Sequence, residues 1–244
     1  MSNFSKYDIL KSIIKGANSI VVFTGAGISV PSGIPDFRSA SGLYNQKTKQ
    51  GYPPEEIISH HFFYQHTEEF YEFYKAKMCY PKAKPNIAHT YFGDLEKQGK
   101  NITVVTQNID GLHQAGGSKR VYELHGSIHR NYCEDCNKFY DLDYVLKQDG
   151  VPRCEKCGGI IKPDVVLYEE GLDEMTIQYA LNAIMTCDVM IVIGTSLTVY
   201  PAASFVRYFK GKYLVLINKS ETTYDSQADL VINEDIASVI EKIK

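Results

Sequence analysis

An apolar run, Ser19-Ile-Val-Val-Phe-Thr24, passes directly into the glycine-rich stretch Gly25 to Arg38, GAGISVPSGIPDFR. A short strand that runs into small residues is how many folds cradle a phosphate, because backbone N–H groups can then approach anionic oxygens closely. The ordinary dinucleotide fingerprint wants a third glycine three places after the second, opening a regular helix. Val30 stands at that place, and Pro31 and Pro35 oppose a regular helix. Asp36-Phe37-Arg38 then sets a carboxylate, an aromatic and a cation side by side. The strand is expected to bring in a nucleotide, while the loop does something that a dehydrogenase loop does not.

Beyond this unit the chain alternates. Ser5 to Ala17 has helical spacing, and Ser39 to Pro54 is a period-free stretch that reads as a mobile loop. Glu55 to Tyr80 is aromatic-rich at roughly helical spacing and is stopped by Pro81. Asn86 caps a helix running to Gly99, Ile102 to Thr106 reads as a strand, and Val121 to Leu124 as a short one. After the cysteines come a strand at Val165 to Leu167, a helix at Asp173 to Met185 and a buried-type strand at Asp188 to Ile193. A helix at Ala202 to Phe209, strands at Tyr213 to Ile217 and Ala228 to Ile232, and a final helix at Asp235 to Ile240 complete the pass. The pattern predicts an α/β chain with a mostly parallel sheet and helices on both faces. The cysteine-rich and aromatic helical segments break the alternation and are read as insertions forming a smaller lobe.

The 244 residues suit one large domain or a domain with an insert, and 44% hydrophobic with 23% charged residues is an ordinary globular composition. A formal net charge of −3 gives no electrostatic case for nucleic-acid binding. No apolar run approaches the roughly 18 residues of a membrane span, and the N-terminus lacks the pattern of a signal peptide. A cytoplasmic monomer is the default expectation.

In an open parallel sheet, ligands bind beyond the carboxyl ends of the strands. Four such ends carry polar or glycine-rich runs: Gly25 to Arg38, Gln107 to His113, Gly194-Thr195-Ser196 and Asn218-Lys219. Their convergence predicts a nucleotide crevice. Gln107-Asn108-Ile109-Asp110 supplies an amide pair and a carboxylate, although a capped turn, in which Asn and Asp bond their own backbone, accounts for it as well. His125 follows a strand and precedes Gly126, which would aim it into the crevice, and an imidazole with a pKa near ~6.5 suits a general base. His60, His61, His66, His89, His113 and His129 are read as structural. Cys133, Cys136, Cys154 and Cys157 have the spacing C-x-x-C, seventeen residues, C-x-x-C. Paired thiolates on two tight knuckles give the tetrahedral four-sulfur shell that zinc prefers; with the shell closed, the metal is structural. Cys79 and Cys187 are read as buried small side chains.

With these residues in view the chain closely resembles the sirtuins, NAD-dependent protein lysine deacylases, in their compact bacterial form. The resemblance covers nearly the whole chain and rests on GAGIS with GIPDFR, TQNIDGLH (Thr106 to His113), His125-Gly126, the four cysteines, KPDVV (Lys162 to Val166), GTSL (Gly194 to Leu197) and Asn218. It implies a Rossmann-like domain (residues 1–38, 81–126 and 161–244), a cofactor loop and helical module (39–80) and a zinc module (127–160). NAD, consumed as a co-substrate, and an acyl-lysine protein or peptide would meet between them. Ala26, Val30, Asp36, Phe37, Arg38, Gln107, Gly194, Thr195, Ser196, Asn218, Lys219 and Ile236 would line the NAD site, with Gly25-Ala26-Gly27 at the pyrophosphate. Ile109 and Asp110 would hold the nicotinamide carboxamide, Asn108 would order the ribose, and His125 would be the base. The acyl oxygen would attack the anomeric carbon, nicotinamide would leave, and deacylated lysine and O-acyl-ADP-ribose would result. A protein mono-ADP-ribosyltransferase using the same cleft is the alternative.

The resemblance also implies that the peptide adds as a strand between Val165 to Glu170 and Leu197 to Tyr200, with the acyl-lysine passing Val166, Leu167 and Tyr168. Two positions depart from the family pattern. Glu169 stands where the family has glycine, which suggests a shift toward lysine- or arginine-flanked sites. Tyr74-x-x-Lys77 lies near where members that remove acidic acyl groups carry Tyr-x-x-Arg. Lysine can pair a carboxylate there, but not in arginine's fork.

Overall fold

The computed structural model describes residues 4–46, 48–49 and 51–244. Helix α1 (Lys6–Gly16) starts at Ser5, whose side chain and that of Asp8 cap each other's backbone N–H groups, and buries Leu10, Ile13 and Ile14 at helical spacing. Strand β1 (Ser19–Thr24) leads into a 3₁₀ turn, Ala26–Ser32, that contains Pro31. The absence of a regular helix here follows from Pro31 within the turn, which lacks an N–H to donate. The expected loop Ser39 to Pro54 is partly folded: Leu43–Asn45 forms a 3₁₀ turn with Leu43 buried. Lys47 and Gln50, also in that expected loop, lie outside the described residues.

The aromatic stretch divides into α2 (Pro54–Ile57), α3 (His60–Gln65) and α4 (Thr67–Lys77) rather than one helix. Ser59 caps α3, and the backbone breaks at His66. Asn86 caps α5 (Ile87–Lys97) by accepting from the Ala88 N–H, 2.9 Å away. Then follow β2 (Asn101–Thr106), α6 (Leu112–Ala115), β3 (Val121–Glu123), β4 (Gly126–Cys133), β5 (Phe139–Tyr140) and α7 (Leu142–Lys147). The chain ends with β6 (Ile161–Val165), α8 (Glu174–Thr186), β7 (Val189–Ile193), a 3₁₀ turn Ala202–Tyr208, β8 (Tyr213–Ile217), β9 (Leu230–Ile232) and α9 (Ile236–Ile243).

Six strands form one parallel sheet in the order β3-β2-β1-β7-β8-β9. Successive residues of each strand point to opposite faces. Ile20, Val22, Val104 and Ile191 pack on one face against the apolar sides of α1, α5 and α9. Val21, Phe23, Met190 and Val192 pack on the other against α8 and the Ala202–Tyr208 turn. Strand order reverses between β1 and β7, and at such a switch point the loops diverge and leave a crevice.

A second core holds the small lobe. Phe62, Phe63, Phe70, Tyr71, Phe73 and Tyr74 from α3 and α4 pack with Ile128, Leu142, Val145 and Ile161 around the sheet β5-β4-β6. Phe63 meets Phe70 edge-on with ring centres 4.9 Å apart, and Phe70 stacks on Tyr74 at 5.5 Å. The aromatic helices and the cysteine segment therefore share one core. The expected strand at Val165 to Leu167 is corrected: the strand is Ile161–Val165, and it pairs antiparallel with β4. Residues 161–165 thus belong with the cysteine module, not with the parallel-sheet segment 161–244.

Candidate active site

The strand ladders of β1, β2, β7 and β8 continue into the loops that follow them. Gly25 donates to the Ile193 carbonyl at 3.0 Å and Gly27 to the Gly194 carbonyl at 2.8 Å. A Cβ on Gly25 would lie 2.7 Å from Thr195 Cβ, and one on Gly27 would lie 2.6 Å from Gly194 Cα. Gly194 has φ of 61°, and a Cβ there would meet the Ile28 nitrogen at 2.5 Å. These glycines let two loops touch backbone to backbone. Of the Gly25-Ala26-Gly27 stretch expected to meet the pyrophosphate, the N–H groups of Gly25 and Gly27 are engaged by protein carbonyls.

The loops open onto a cavity of about 700 Å³ that runs between the sheet and the small lobe. Its wall includes Gly25, Ala26, Gly27, Val30, Asp36, Phe37, Arg38, Gln107, Asn108, Ile109, Asp110 and His125. Gly194, Thr195, Ser196, Asn218, Lys219 and Ile236 join them from the β7, β8 and α9 side. Every residue expected at the cofactor therefore faces one space. A polar network fixes its floor. Asn108 Nδ2 donates to Ser29 Oγ at 3.1 Å, and Ser29 Oγ donates to Asp110 Oδ2 at 2.6 Å. Asp110 Oδ1 accepts the Leu112 N–H at 2.9 Å, so the capped-turn reading holds for Asp110 while Asn108 reaches across to another loop. The Asn108 N–H donates to Thr106 Oγ1, and Gln107 Nε2 donates to Thr195 Oγ1, each at 3.0 Å. The sequence reading missed Ser29, although it stands inside the GAGIS run; a small hydroxyl after two glycines was its only signal.

His125 lies where the chain leaves β3. Gly126 follows with φ of 74°, and a Cβ there would lie 1.9 Å from the Asp164 carbonyl oxygen, so only glycine fits between β4 and β6. His125 Nδ1 lies 2.9 Å from the Gln107 carbonyl, which makes Nδ1–H the donor and leaves the lone pair on Nε2. Burial holds its pKa below the ordinary imidazole value, and the Gln107 hydrogen bond opposes that only in part. The ring is therefore neutral at pH 7.

The Asp36–Tyr44 loop closes on itself. Asp36 Oδ1 accepts from the Arg38 and Ser39 N–H groups at 3.0 and 2.8 Å, and Tyr44 stands 5.3 Å from Phe37. The Tyr44 and Tyr168 hydroxyls meet at 2.7 Å across the cleft. Lys219 reaches Asp235 at 3.1 Å on the far side.

On the proposed peptide side, Val166, Leu167, Tyr168 and Glu169 line the cavity, and the Val166 N–H donates to the His125 carbonyl at 3.0 Å. Lys77 also lines it, donating to Gln46 Oε1 at 2.8 Å. Two expected residues do not. Tyr74 is fully buried in the aromatic core, because α4 turns it toward Phe70 and Tyr71. The pairing of Tyr74 with Lys77 around an acyl chain therefore does not form. Leu197 is also buried, packed with the core beneath α8, and only its backbone can reach a peptide.

Away from the cleft, the sulfurs of Cys133, Cys136, Cys154 and Cys157 all lie within 4.8 Å of one another. Cys133 and Cys157 approach to 3.4 Å and Cys136 and Cys154 to 3.6 Å, close to the edge of a zinc tetrahedron with Zn–S bonds of ~2.3 Å. Tyr140 Oη donates to Cys154 Sγ at 3.0 Å and orients that ligand. The donor set fits one structural zinc ion. Among the described residues, no helix is long and apolar enough to cross a membrane.

Comparison with known proteins agrees with this arrangement. The model of the Sir2 family matches residues 25–201. An NAD-dependent protein deacetylase of Clostridium acetobutylicum is 59% identical over 239 residues, covering 98% of each chain. A solved Sir2–p53 peptide–NAD+ complex superimposes with a TM-score of 0.86 at 38% identity, covering 98% of this chain and 97% of that one. A Sir2 structure bound to acetylated peptide does so with a TM-score of 0.85 at 37% identity and the same coverage. From the loop that opens the sequence to the cysteines that hold its smaller lobe, this chain belongs to the Sir2 family.

Proposed function

We propose that this chain is an NAD-dependent protein deacetylase, acting on acetyl-lysine in proteins or peptides. The observation that carries this is the 59% identity to a named NAD-dependent protein deacetylase, with 98% of both chains aligned. The site supports it residue by residue. Ala26, Val30, Arg38, Thr195, Ser196, Asn218, Lys219 and Ile236 hold NAD along the crevice. Ile109 and Asp110 take the nicotinamide carboxamide, and Asn108, fixed by Ser29, orders the adjoining ribose. Bound NAD supplies an electrophilic ribose carbon with nicotinamide as its leaving group. The acetyl oxygen is a weak nucleophile, so the cleft must align it and exclude water. Phe37, close to Tyr44, screens the reacting centre without offering a nucleophile. His125 Nε2 takes a proton from a ribose hydroxyl, and the Gln107 carbonyl keeps the ring in the required tautomer. The products are lysine, nicotinamide and O-acetyl-ADP-ribose. The peptide lies along Val166 to Tyr168, whose link to the His125 carbonyl ties its position to that of the base.

Product analysis with NAD and an acetyl-lysine peptide tests this reading. His125→Ala should slow O-acetyl-ADP-ribose formation by about 10²–10⁴-fold. Nicotinamide release and O-acetyl-ADP-ribose formation that both persist unchanged in the variant would overturn the mechanism.

A further inference from the structure

The cleft rim carries ionisable groups that the reaction does not use. Glu169 has φ of 77°, a left-handed backbone that favours glycine and strains other residues. Its carboxylate is nevertheless engaged. Oε1 lies 2.8 Å from His61 Nδ1, and Oε2 accepts the His61 backbone N–H at 3.1 Å. Beside it, Glu170 Oε1 lies 3.0 Å from His60 Nδ1 and 3.1 Å from Lys162 Nζ. The backbone doubles the connection: His60 N–H donates to the Tyr168 carbonyl at 2.9 Å, and Tyr168 N–H to the Ile58 carbonyl at 3.0 Å. Two consecutive carboxylates after β6 thus face two consecutive imidazoles of α3. The remaining polar neighbours are Ser59 Oγ, 3.1 Å from His61 Nδ1, and Tyr64, whose ring lies 4.8 Å from that of His60. The Tyr64 hydroxyl donates to Glu134, just after β4, at 2.5 Å.

We propose that this rim, through the Glu169 carboxylate, favours peptides with lysine or arginine beside the acetyl-lysine. The inference rests on the deacetylase reading above, which brings the peptide past Glu169. Three carboxylates (Glu134, Glu169, Glu170) stand there against one ammonium (Lys162), so the rim carries an excess of negative side chains that attracts cations. Glu169 and His61 are about half exposed, at 51% and 44%, so each added attraction is modest and sensitive to salt.

The test is fluorescence anisotropy without NAD, using two acetyl-lysine peptides that differ only in carrying lysine or glutamine on both flanks. In low salt the lysine-flanked peptide should bind roughly threefold more tightly, and the difference should shrink in high salt. Glu169→Gly, which suits the left-handed backbone, should remove most of that preference. Equal binding of the two peptides in low salt, a preference that survives Glu169→Gly, or no binding of the lysine-flanked peptide would each overturn the proposal. Turnover of the glutamine-flanked peptide with NAD, measured alongside, reports on the deacetylase reading separately. Its loss would leave the anisotropy ratio to judge the rim alone.

Discussion

Strands β1, β2, β7 and β8 reach the cleft with side chains buried on both faces, so their site groups stand where ladder geometry puts them. The small lobe reaches the same cleft from a core of aromatic rings and, beyond it, four sulfurs; it contributes Lys77, Tyr168 and Glu169 through side chains. The backbone that carries the floor is set by strand ends and shifts only if the sheet moves. A wall made by side chains changes with single substitutions. On the proposed reading the chemistry sits on the first and the selectivity on the second, which makes the halves separable by experiment.

The strongest challenge to that division is removal of the metal. Cys154→Ser should abolish zinc binding and melt the small lobe, since structural zinc supplies on the order of 10 kcal/mol of folding free energy. Hydrogen exchange should then rise in β4 and β6 while β1 and β7 keep their protection. Uniform loss of protection would mean that the two halves fold as one unit.

Gly126→Ala tests the seam between them. The added Cβ would sit 1.9 Å from the Asp164 carbonyl oxygen on a left-handed backbone. A loss of about 3 kcal/mol is expected, read as a lowered melting temperature. A variant as stable as the parent would show that the seam yields.

Acid should weaken the parallel-sheet half through two buried histidines. His89 and His113 lie face to edge with centres 4.9 Å apart, and His89 Nε2 and His113 Nδ1 have no hydrogen-bond partner among the described residues. Burial pushes His89 down to about 4 and His113 well below its ordinary value. Both pKa values are depressed on folding, so the unfolded chain binds more protons below its ordinary value near 6.5. Their stability contribution is present above that value and lost as pH falls, with His89 alone accounting for about 3 kcal/mol by pH 4. Urea melts at several pH values should show that loss, and His89→Gln should reduce it.

The smallest effect concerns Tyr74, whose buried hydroxyl has no partner among the described residues. Tyr74→Phe should change stability by less than about 1 kcal/mol, in the stabilising direction, and leave acetyl-peptide turnover intact. A marked fall in turnover would return Tyr74 to the cleft wall and blur the division.

Sequence patterns carried the parallel sheet well, because each strand is a short apolar run that ends in a glycine or a polar cluster. The convergence of four strand ends followed from topology alone. The four cysteines were legible from their spacing. What stayed hidden depended on which way a side chain turns. Tyr74 and Lys77 lie three residues apart on α4, yet only Lys77 lines the cavity. Likewise His60 and His61 looked structural, because nothing local links them to Glu169 and Glu170, more than a hundred residues away. The inward N–H groups of Gly25 and Gly27 were also unreadable, since glycine at a strand end serves a ligand or a neighbouring loop equally well.

The contact among Gly25, Gly27 and Gly194 restricts how this crevice can be redesigned. Any side chain placed on one loop lands on the backbone of the other, so no smaller residue elsewhere can make room for it. The two loops must therefore be exchanged together. A graft that swaps only the first glycine-rich loop for that of another nucleotide-binding protein would meet its obstacle about 170 residues downstream, at a position that alignment of the loop itself would never bring under inspection.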